Sequence, residues 1–364
     1  MNDLLFLSPE ISNTTPGVKM AMQTDLNPNS SAFRAISTHL IQGLLQIADV
    51  DPHEFACVLL PGDDAMILEA TLQTVIPNQH ARVLIAVSGR SDTKIVELLE
   101  TLNIPHDVVV TPQSQAIDQK MIRQHIKQTP TITHFIMSHQ DATVGVLHPL
   151  APLMTDLHLA GITTILDARA TFGGIPIDCD TLGIDYLITV FHHALHSVPG
   201  FGAVIARRQK IAQTADQSHS VSLDLFAQLA FMELSGGAWR HGAPTQSVIA
   251  ADCAIATLQA HGGVIKRYQH FRQLQHTLAS GMTTLGFEPL CPPFWQSPLM
   301  TAFAYPNTHF DFDDFAQALR LRGFEIAPGI TQCPSFRVAT SGSVDLSELN
   351  AFLAAVKQIR QGHV

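Results

Sequence analysis

The feature that most constrains the fold is a repeated alternation of short apolar runs with helical patterns. The runs are apolar at odd and even positions alike, so both faces of each strand are expected to be buried. They are Phe55–Leu60, Arg82–Val87, Asp107–Val110, Thr133–Ser138, Thr163–Asp167, Asp185–Val190 and Phe201–Ala206. Such strands, separated by helices, form mainly parallel sheets covered by helices on both sides. The sequence therefore predicts an α/β fold with its site in the turns at the strand C-termini.

The pattern changes near Thr245, which indicates a second, smaller α+β domain. A long helical stretch is interrupted by Gly262-Gly263, and shorter strands and helices follow. A chain of 364 residues also exceeds what one compact domain usually needs. We predict an N-terminal segment over residues 1–20 that packs on the small domain, a large domain over residues 21–250, and a small domain over residues 251–364.

Charge, apolar stretches and cysteine usage argue against several classes of protein. The net charge is −10 and the basic residues are scattered, so a nucleic-acid partner is not expected. No apolar stretch is long enough for a membrane span, and Met1–Pro9 lacks the features of a signal peptide. The five cysteines are odd in number and form no C-x-x-C pair, which indicates free thiols and a cytoplasmic protein.

Several segments, in order along nearly the whole chain, carry a resemblance to a known family. They include Val18–Met22, Leu68–Leu72, Gly145–Pro149, Leu166–Pro176, Val198–Gly202, Ser220–Leu225, Gly262–Val264 and Phe336-Arg337. At these spacings the chain resembles the 2-aminoethylphosphonate–pyruvate transaminases, which are class V aminotransferases of fold type I. The resemblance implies pyridoxal phosphate as cofactor, a homodimer, and a small-molecule cavity between the domains at the dimer interface.

The resemblance also assigns roles to particular positions. Asp167 matches the carboxylate that pairs with the pyridine nitrogen, and an Asp that caps the next turn is its alternative. Arg337 matches the arginine that grips the acidic substrate, and a surface ion pair is its alternative. His139 and Thr143 match positions in the turn that lies beside the cofactor in the family. A buried histidine with only a structural role is an equally good interpretation of His139.

The lysine that such a family requires is missing from its expected place. It normally lies six residues before the proline of the Val-Pro-Gly-Phe-Gly segment, and here His193 occupies that position. No lysine occurs between Lys127 and Lys210. An imidazole lacks the primary amine that a Schiff base needs, although it can still transfer protons.

Three further cofactor contacts differ from the family pattern. The phosphate-binding turn reads Gly62-Asp63-Asp64-Ala65 instead of Gly-Ser-Gly-Thr. An Asp there can cap the helix and repel a phosphate, and capping alone is the alternative. Gly242 replaces a threonine that reaches the partner subunit's phosphate, and Ser88–Ser91 lacks the aromatic ring expected to stack on the cofactor. These changes argue against cofactor binding.

Three hypotheses for the function follow. The first is a degenerate homologue that has lost covalent transamination and uses its acidic cavity, with Asp63, Asp64 and Asp167, to bind a cation, an amine or a metal. The second is an enzyme that uses pyridoxal or pyridoxamine phosphate without a Schiff base, with His193 as the base. The third is a metal site built from His192, His193 and His196. A polar turn in a chain with 19 histidines is the simpler explanation of this run, so no metal ligand is assigned.

Overall fold

The strands and helices alternate as the sequence predicts. A computed structural model describes residues 4–77 and 80–362. In chain order the strands are β1 (Leu5–Leu7), β2 (Phe55–Pro61), β3 (Val83–Val87), β4 (His106–Val110), β5 (His134–Ser138), β6 (Thr163–Asp167), β7 (Tyr186–Val190), β8 (Phe201–Arg207), β9 (Met300–Ala304), β10 (Phe324–Pro328) and β11 (Ser335–Ala339). The helices are α1 (Pro16–Ala21), α2 (Ser31–Ile47), α3 (Asp64–Val75), α4 (Arg90–Thr101), α5 (Gln119–Gln128), α6 (Leu153–Leu159), α7 (Arg208–Ala212), α8 (Leu225–Ser235), α9 (Thr245–Ala260), α10 (Gly263–Thr284), α11 (Phe312–Arg320) and α12 (Leu346–Arg360).

Seven strands form one large sheet in the order β2-β8-β7-β6-β5-β3-β4. β8 runs antiparallel to both of its neighbours, and the other pairs are parallel. Because β8 is reversed with respect to both β2 and β7, β2 runs in the same direction as the parallel strands. The C-terminal ends of β2, β5, β6 and β7 therefore share one edge of the sheet. The predicted mainly parallel sheet is confirmed.

Apolar side chains cover both faces of this sheet. On one face, Ile67 of α3 and Ile95 of α4 are fully buried in a cluster with the strands. On the other, Phe33 and Leu40 of α2 are fully buried in a second cluster. Burying each such side chain stabilises the fold by about 1.5–3 kcal/mol. The two layers hold the strand ends, and with them the site, in a fixed position.

The second sheet has four strands in the order β1-β10-β11-β9. β1 pairs with β10 in parallel, and the other two pairs are antiparallel. Its core is aromatic, with Phe287, Phe303, Phe336 and Phe352 all fully buried. β1 brings the start of the described chain onto this sheet, so the loop that follows β1 lies close to both sheets. The domain boundaries stay a prediction.

α9 and α10 are separate helices that meet at a sharp bend. Gly262 and Gly263 both have positive φ, 91° and 71°, which glycine adopts at no steric cost. The two helices are bent by 82° at this break, which confirms the predicted interruption. Within residues 4–77 and 80–362, no single helix combines the length and hydropathy of a membrane span. Only this bent pair reaches those limits, and only when its two helices are counted together.

Candidate functional site

A cavity of about 780 Å³ opens at the edge of the large sheet where β2, β5, β6 and β7 end. Turns that follow these strands form its wall, as the sequence predicts for a parallel sheet. The predicted site residues that line it are Gly62, Asp63, Asp64, Asp167 and His193. Three others, His139, Thr143 and Arg337, are not among its lining residues.

The carboxylate of Asp167 is already paired with a guanidinium. Arg169 Nε donates to Asp167 Oδ1 over 2.8 Å, and Arg169 Nη2 donates to Asp167 Oδ2 over 2.7 Å. The exposed fractions of the two side chains are 13% for Arg169 and 5% for Asp167. Burial opposes the charge on Arg169, but the attraction of Asp167 outweighs it and raises the guanidinium pKa. This bidentate pair is the strongest polar contact geometry available to an arginine.

A second buried carboxylate, Asp92, lies behind this pair. Its Oδ2 accepts from the Ser88 and Gly89 amides at 2.7 Å and 3.1 Å, so it caps the start of α4. Ser138, at the end of β5, donates its hydroxyl to Asp92 and lies 3.5 Å from Asp167 Oδ2. Burial raises the pKa of Asp92, and the nearby charge of Asp167 adds to this rise. The floor of the cavity is therefore rich in carboxylates.

The turn between β2 and α3 is closed by its own side chain. Asp63 Oδ1 accepts from the amides of Ala65 and Met66, both at 3.0 Å. Gly62 has φ 141°, and a Cβ there would lie 2.8 Å from the Met66 Cβ, so this position requires glycine. Free amides at a helix N-terminus bind anions. Here Asp63 satisfies two of them from within the chain.

Asp64 faces two histidines across the cavity wall. Its Oδ1 lies 3.4 Å from His192 Nε2, and its Oδ2 lies 3.7 Å from His193 Nε2. Arg169 Nη1 lies 3.6 Å from the same Oδ2. Burial opposes the charge on Asp64, but contact with His193 and the charge of Arg169 outweigh it and lower the carboxyl pKa to about 2. Burial and repulsion from His193 lower the pKa of His192 to about 4.

His196, the third histidine of the hypothetical metal site, lies away from His192 and His193. His196 has φ 58°, in the left-handed region, and is not among the residues that line the cavity. Its Nε2 accepts from the Gly342 amide at 3.0 Å, and its ring contacts Phe271. The hypothesis that His192, His193 and His196 converge is therefore wrong, because His196 is held by Gly342 and Phe271 and lines a different cavity from the other two. Asp64 takes the place next to the histidine pair instead.

His139 and Thr143 lie behind the cavity wall. His139 is buried and hydrogen-bonds through Nδ1 with Thr171 Oγ1 at 2.9 Å. Burial, together with repulsion from His148, lowers the pKa of His139 to about 3. Thr143 Oγ1 accepts from the Arg90 amide at 3.2 Å. Both side chains hold the turn in place, and the core-histidine alternative describes His139 in this structure.

Arg337 is buried in the small sheet and is held by a residue from the N-terminal loop. Its Nη2 donates to Glu10 Oε1, and its Nε donates to the Pro328 carbonyl at 3.0 Å. Glu10 also accepts from Ser8, and its neighbour Pro9 lines the cavity. The family resemblance assigns Arg337 to binding an acidic substrate, but in this structure the carboxylate that it binds is that of Glu10 in the same chain.

Two of these contacts are absent from the sequence-based prediction. Arg169 stands two residues after Asp167, and this spacing alone does not indicate that its side chain folds back onto the carboxylate. Glu10 is far from Arg337 in the sequence, so only the pairing of β1 with β10 brings them together. Of the lysines in the described chain, only Lys94 lines the cavity, and it lies on the exposed side of α4.

Comparisons with known proteins agree with this architecture. The family model "Aminotransferase class-V" matches residues 90–343. The 2-aminoethylphosphonate–pyruvate transaminase of Lactiplantibacillus plantarum is 39% identical over 360 residues, covering 99% of this chain and 98% of that protein. The protein of the same name from Aeromonas hydrophila is 36% identical, covering 97% of this chain and 94% of that protein.

Solved structures share the fold at low sequence identity. Pyridoxamine–pyruvate aminotransferase from Mesorhizobium loti superposes with a TM-score of 0.91 at 17% identity, covering 100% of this chain and 93% of that chain. Alanine–glyoxylate aminotransferase from Nostoc sp. gives 0.89 at 17% identity, covering 99% and 96%. The fold is therefore that of the fold-type-I aminotransferases. With the family match and the identity over nearly the whole length, this chain belongs to the class V aminotransferases and is homologous to the 2-aminoethylphosphonate–pyruvate transaminases.

Proposed function

We propose that this class V aminotransferase homologue has lost covalent transamination and uses its cavity to bind a ligand other than pyridoxal phosphate. The observation that carries the proposal is the bidentate pair of Arg169 with Asp167. A cofactor ring that used Asp167 as its pyridinium partner would have to displace a buried guanidinium. The ring nitrogen would then take the carboxylate, and the Arg169 guanidinium, which is 13% exposed, would lose its counter-charge. Breaking a buried ion pair in this way costs about 3–5 kcal/mol.

The group that would hold the cofactor covalently is also missing. His193 lines the cavity where the family resemblance expects the lysine, and an imidazole cannot form a Schiff base. Lys94 is the one lysine in the cavity wall of the described chain, and it lies at the exposed rim on α4. The residues in hand thus do not fit covalently held pyridoxal phosphate.

The phosphate position argues in the same direction. Asp63 already accepts two amides at the start of α3, and Asp64 places a second carboxylate beside them. At an effective dielectric of about 20, two like unit charges about 4 Å apart repel by roughly 4 kcal/mol. A phosphate dianion would meet this repulsion without the amides that normally offset it.

The charge of the cavity favours cationic ligands. Its lining includes four carboxylates, from Asp63, Asp64, Glu97 and Asp167, and two lysine or arginine side chains, from Lys94 and Arg169. We therefore expect amines or metal cations to bind in preference to anions. Thermal-shift assays with a panel of polyamines and divalent ions test this preference. If none of these ligands shifts the melting temperature, the preference for cations is wrong.

The decisive experiment is a titration of the full chain with pyridoxal phosphate, followed by absorption before and after borohydride. We expect no Schiff-base absorption and no cofactor retained on desalting. The variant His193→Lys should not suffice by itself, because Asp63, Asp64 and Arg169 remain. Adding Arg169→Met, Asp63→Ser, Asp64→Gly and Ala65→Thr should then restore the Schiff base.

Two other results of that titration would overturn the proposal. One is a Schiff base that borohydride fixes to one peptide of the unmodified chain. This result would favour transaminase activity, the activity for which its relatives are named. Assays with 2-aminoethylphosphonate and pyruvate would then be the next step. A cofactor retained without a Schiff base would instead favour the mechanism in which His193 acts as the base.

We further propose that the chain forms a homodimer, as the family resemblance implies. Apolar side chains are exposed on α8 and near the start of α3, with exposed fractions of 91% for Leu234, 42% for Phe231 and 50% for Met66. Phe231 and Leu234 are three residues apart on α8 and share one face of this helix, and exposed apolar residues grouped in this way mark interaction surfaces. Light scattering coupled to size exclusion measures the mass directly, and Leu234→Glu with Phe231→Glu should yield the monomer. A monomeric unmodified chain would contradict this proposal.

A further inference from the structure

The side chains of Asp64, His192 and His193 form a cluster at the cavity wall. One potential ligand atom from each residue lies within 4.8 Å of the others. Among the described residues, no other group of three His, Cys, Asp or Glu side chains meets this criterion. We infer that this cluster, here called the Asp64 trio, is a binding site for one divalent transition-metal ion, with Zn²⁺ the best chemical match.

The spacing of the trio suits coordination better than direct hydrogen bonding. The Asp64 oxygens lie 3.4 Å and 3.7 Å from the Nε2 atoms of His192 and His193. A good N–H···O hydrogen bond is about 2.7–3.2 Å long. In a tetrahedral zinc site with bonds of about 2.0–2.2 Å, neighbouring ligand atoms are roughly 3.3–3.6 Å apart. The distance from Asp64 Oδ1 to His192 matches that length, and the distance from the other Asp64 oxygen to His193 is slightly longer. With one ligand atom from each residue, all three atoms lie within 4.8 Å of one another, close enough for small side-chain rotations to place them around one ion.

The donor types select among metals. Two imidazoles and one carboxylate suit Zn²⁺ and other late divalent metals, whereas Mg²⁺ and Ca²⁺ prefer sites made of oxygen. Two histidines and one carboxylate also form the protein ligand set of known catalytic zinc sites. We therefore expect Zn²⁺ to bind and Mg²⁺ not to compete with it.

The local charge supports a cation in spite of the nearby arginine. Arg169 Nη1 lies 3.6 Å from Asp64, but the same guanidinium is paired with Asp167 at 2.7 Å and 2.8 Å. Its positive charge is thus largely compensated, and the charge of Asp64 is left for the ion. Asp63, the next residue along the chain, adds a further carboxylate to the cavity wall.

The trio is open on one side. The exposed fractions are 35% for Asp64, 19% for His192 and 21% for His193, and all three line the cavity. Three protein ligands and an open fourth position are the arrangement of zinc sites that accept an exogenous ligand. An ion here would give the cavity a group able to hold an amine, a carboxylate or a water molecule.

The surroundings of His192 set an upper limit on the affinity. An ion on its Nε2 requires a proton on Nδ1, and that atom is buried without a hydrogen-bond partner in the described chain. A hydrogen-bond partner on the other ring nitrogen of a ligating histidine typically contributes 10- to 100-fold in affinity. We therefore expect Zn²⁺ to bind about 10- to 100-fold more weakly than it binds a site whose histidines all have such a partner.

The experiment is a Zn²⁺ titration of the full, untagged chain after treatment with a chelator, followed by calorimetry and elemental analysis. One ion per chain is expected. Asp64→Asn and His193→Gln should each weaken binding by more than tenfold, while His193→Cys, which keeps a zinc ligand, should retain it. His53→Gln is the control, because His53 is exposed and lies outside the cavity. Co²⁺ in place of Zn²⁺ reports the coordination geometry through its visible absorption.

The outcomes separate this inference from the proposed function on which it rests. No Zn²⁺ binding by the unmodified chain, or equal binding by Asp64→Asn and His193→Gln, would overturn the metal site. Either result would leave the pyridoxal phosphate titration unaffected. A Schiff base in that titration would overturn the proposed function, and Zn²⁺ binding measured without cofactor would still report on the trio.

Discussion

Arg169 holds both carboxylate oxygens of Asp167, at 2.8 Å and 2.7 Å, in the floor of the cavity. The backbone amide of Arg169 also donates to Asp167 Oδ1 at 3.1 Å, so one turn supplies three donors to one carboxylate. In addition, Arg169 Nη1 donates to the Asp64 carbonyl at 3.2 Å. The guanidinium therefore ties the end of β6 to the start of α3, which makes it part of the structure of the site.

Replacing Arg169 should destabilise the protein strongly. Arg169→Met leaves Asp167 buried without its counter-charge, and we expect the free energy of unfolding to fall by about 3–5 kcal/mol. Asp167→Asn in the same chain should recover much of this loss because it removes the unpaired charge. Urea denaturation followed by circular dichroism gives both values.

The matched control for that variant is Arg320→Met. Arg320 pairs with Glu325 at 3.2 Å, but its side chain is 65% exposed, so this substitution should cost no more than about 1 kcal/mol. Equal stability of Arg169→Met and the unmodified chain would show that the pair with Asp167 contributes nothing to the fold.

Glu10 should compete with acidic ligands for Arg337. Glu10→Gln removes the internal charge that pairs with Arg337, and the guanidinium becomes available to a small carboxylate or phosphonate. A hydrogen bond to a charged group contributes about 1.5–3 kcal/mol, so affinity should rise by roughly 10- to 100-fold. Calorimetry with pyruvate and with 2-aminoethylphosphonate measures the change. Glu100→Gln, on the exposed side of α4, should have no effect, and unchanged affinity in Glu10→Gln would rule out competition.

Gly89 should not tolerate a side chain. A Cβ at this position would lie 1.9 Å from Asp141 Oδ1 and 2.5 Å from Thr143 Oγ1, so the turn before α4 would have to move. We expect Gly89→Ala to lower the free energy of unfolding by about 1–3 kcal/mol. Gly242→Ala is the control, because nothing lies within 4 Å of a Cβ there. Thermal melts of the two variants compare them, and identical melting temperatures would contradict the expected clash.

The fold could be predicted well from the sequence because its strands are buried on both faces and carry a strong signal. β6 begins and ends at the predicted residues, Thr163 and Asp167. β1 was not predicted, since its three residues gain stability only by pairing with β10. The antiparallel direction of β8 could not be predicted from the sequence either, because an apolar run has the same pattern in a parallel and an antiparallel strand.

The site was less predictable because its decisive contacts join distant residues. The capping of α3 by an Asp at its start could be predicted, because a carboxylate directly before a helical pattern is a local sequence signal. The structure shows that Asp63 is this cap. The pairing of Arg337 with Glu10 depends on tertiary structure. The placement of His196 depends on its hydrogen bond with the Gly342 amide, 146 residues further along the chain, which the local sequence does not reveal.

His148 should make the protein sensitive to acid. Its Nδ1 accepts from the Ile117 amide at 3.3 Å, and its Nε2 is hydrogen-bonded with the Ser88 hydroxyl at 2.8 Å. A proton on Nδ1 would break the first bond, so the folded chain holds the neutral imidazole. Burial lowers the pKa of His148 from 6.5 to about 4 in the folded protein.

The sign of the effect follows from that depressed pKa. Above pH 6.5 the imidazole is neutral in both states, and His148 makes its full contribution to stability. Between pH 6.5 and about 4 the unfolded chain takes up a proton that the folded chain does not, so stability falls by about 1.4 kcal/mol per unit of pKa difference. Urea denaturation at pH 7.5, 5.5 and 4.5 should show this fall, and His148→Gln should make the profile shallower. A profile equally steep in the variant would assign the acid sensitivity to other groups, of which His134, with its pKa lowered to about 4 by burial, is the first to test.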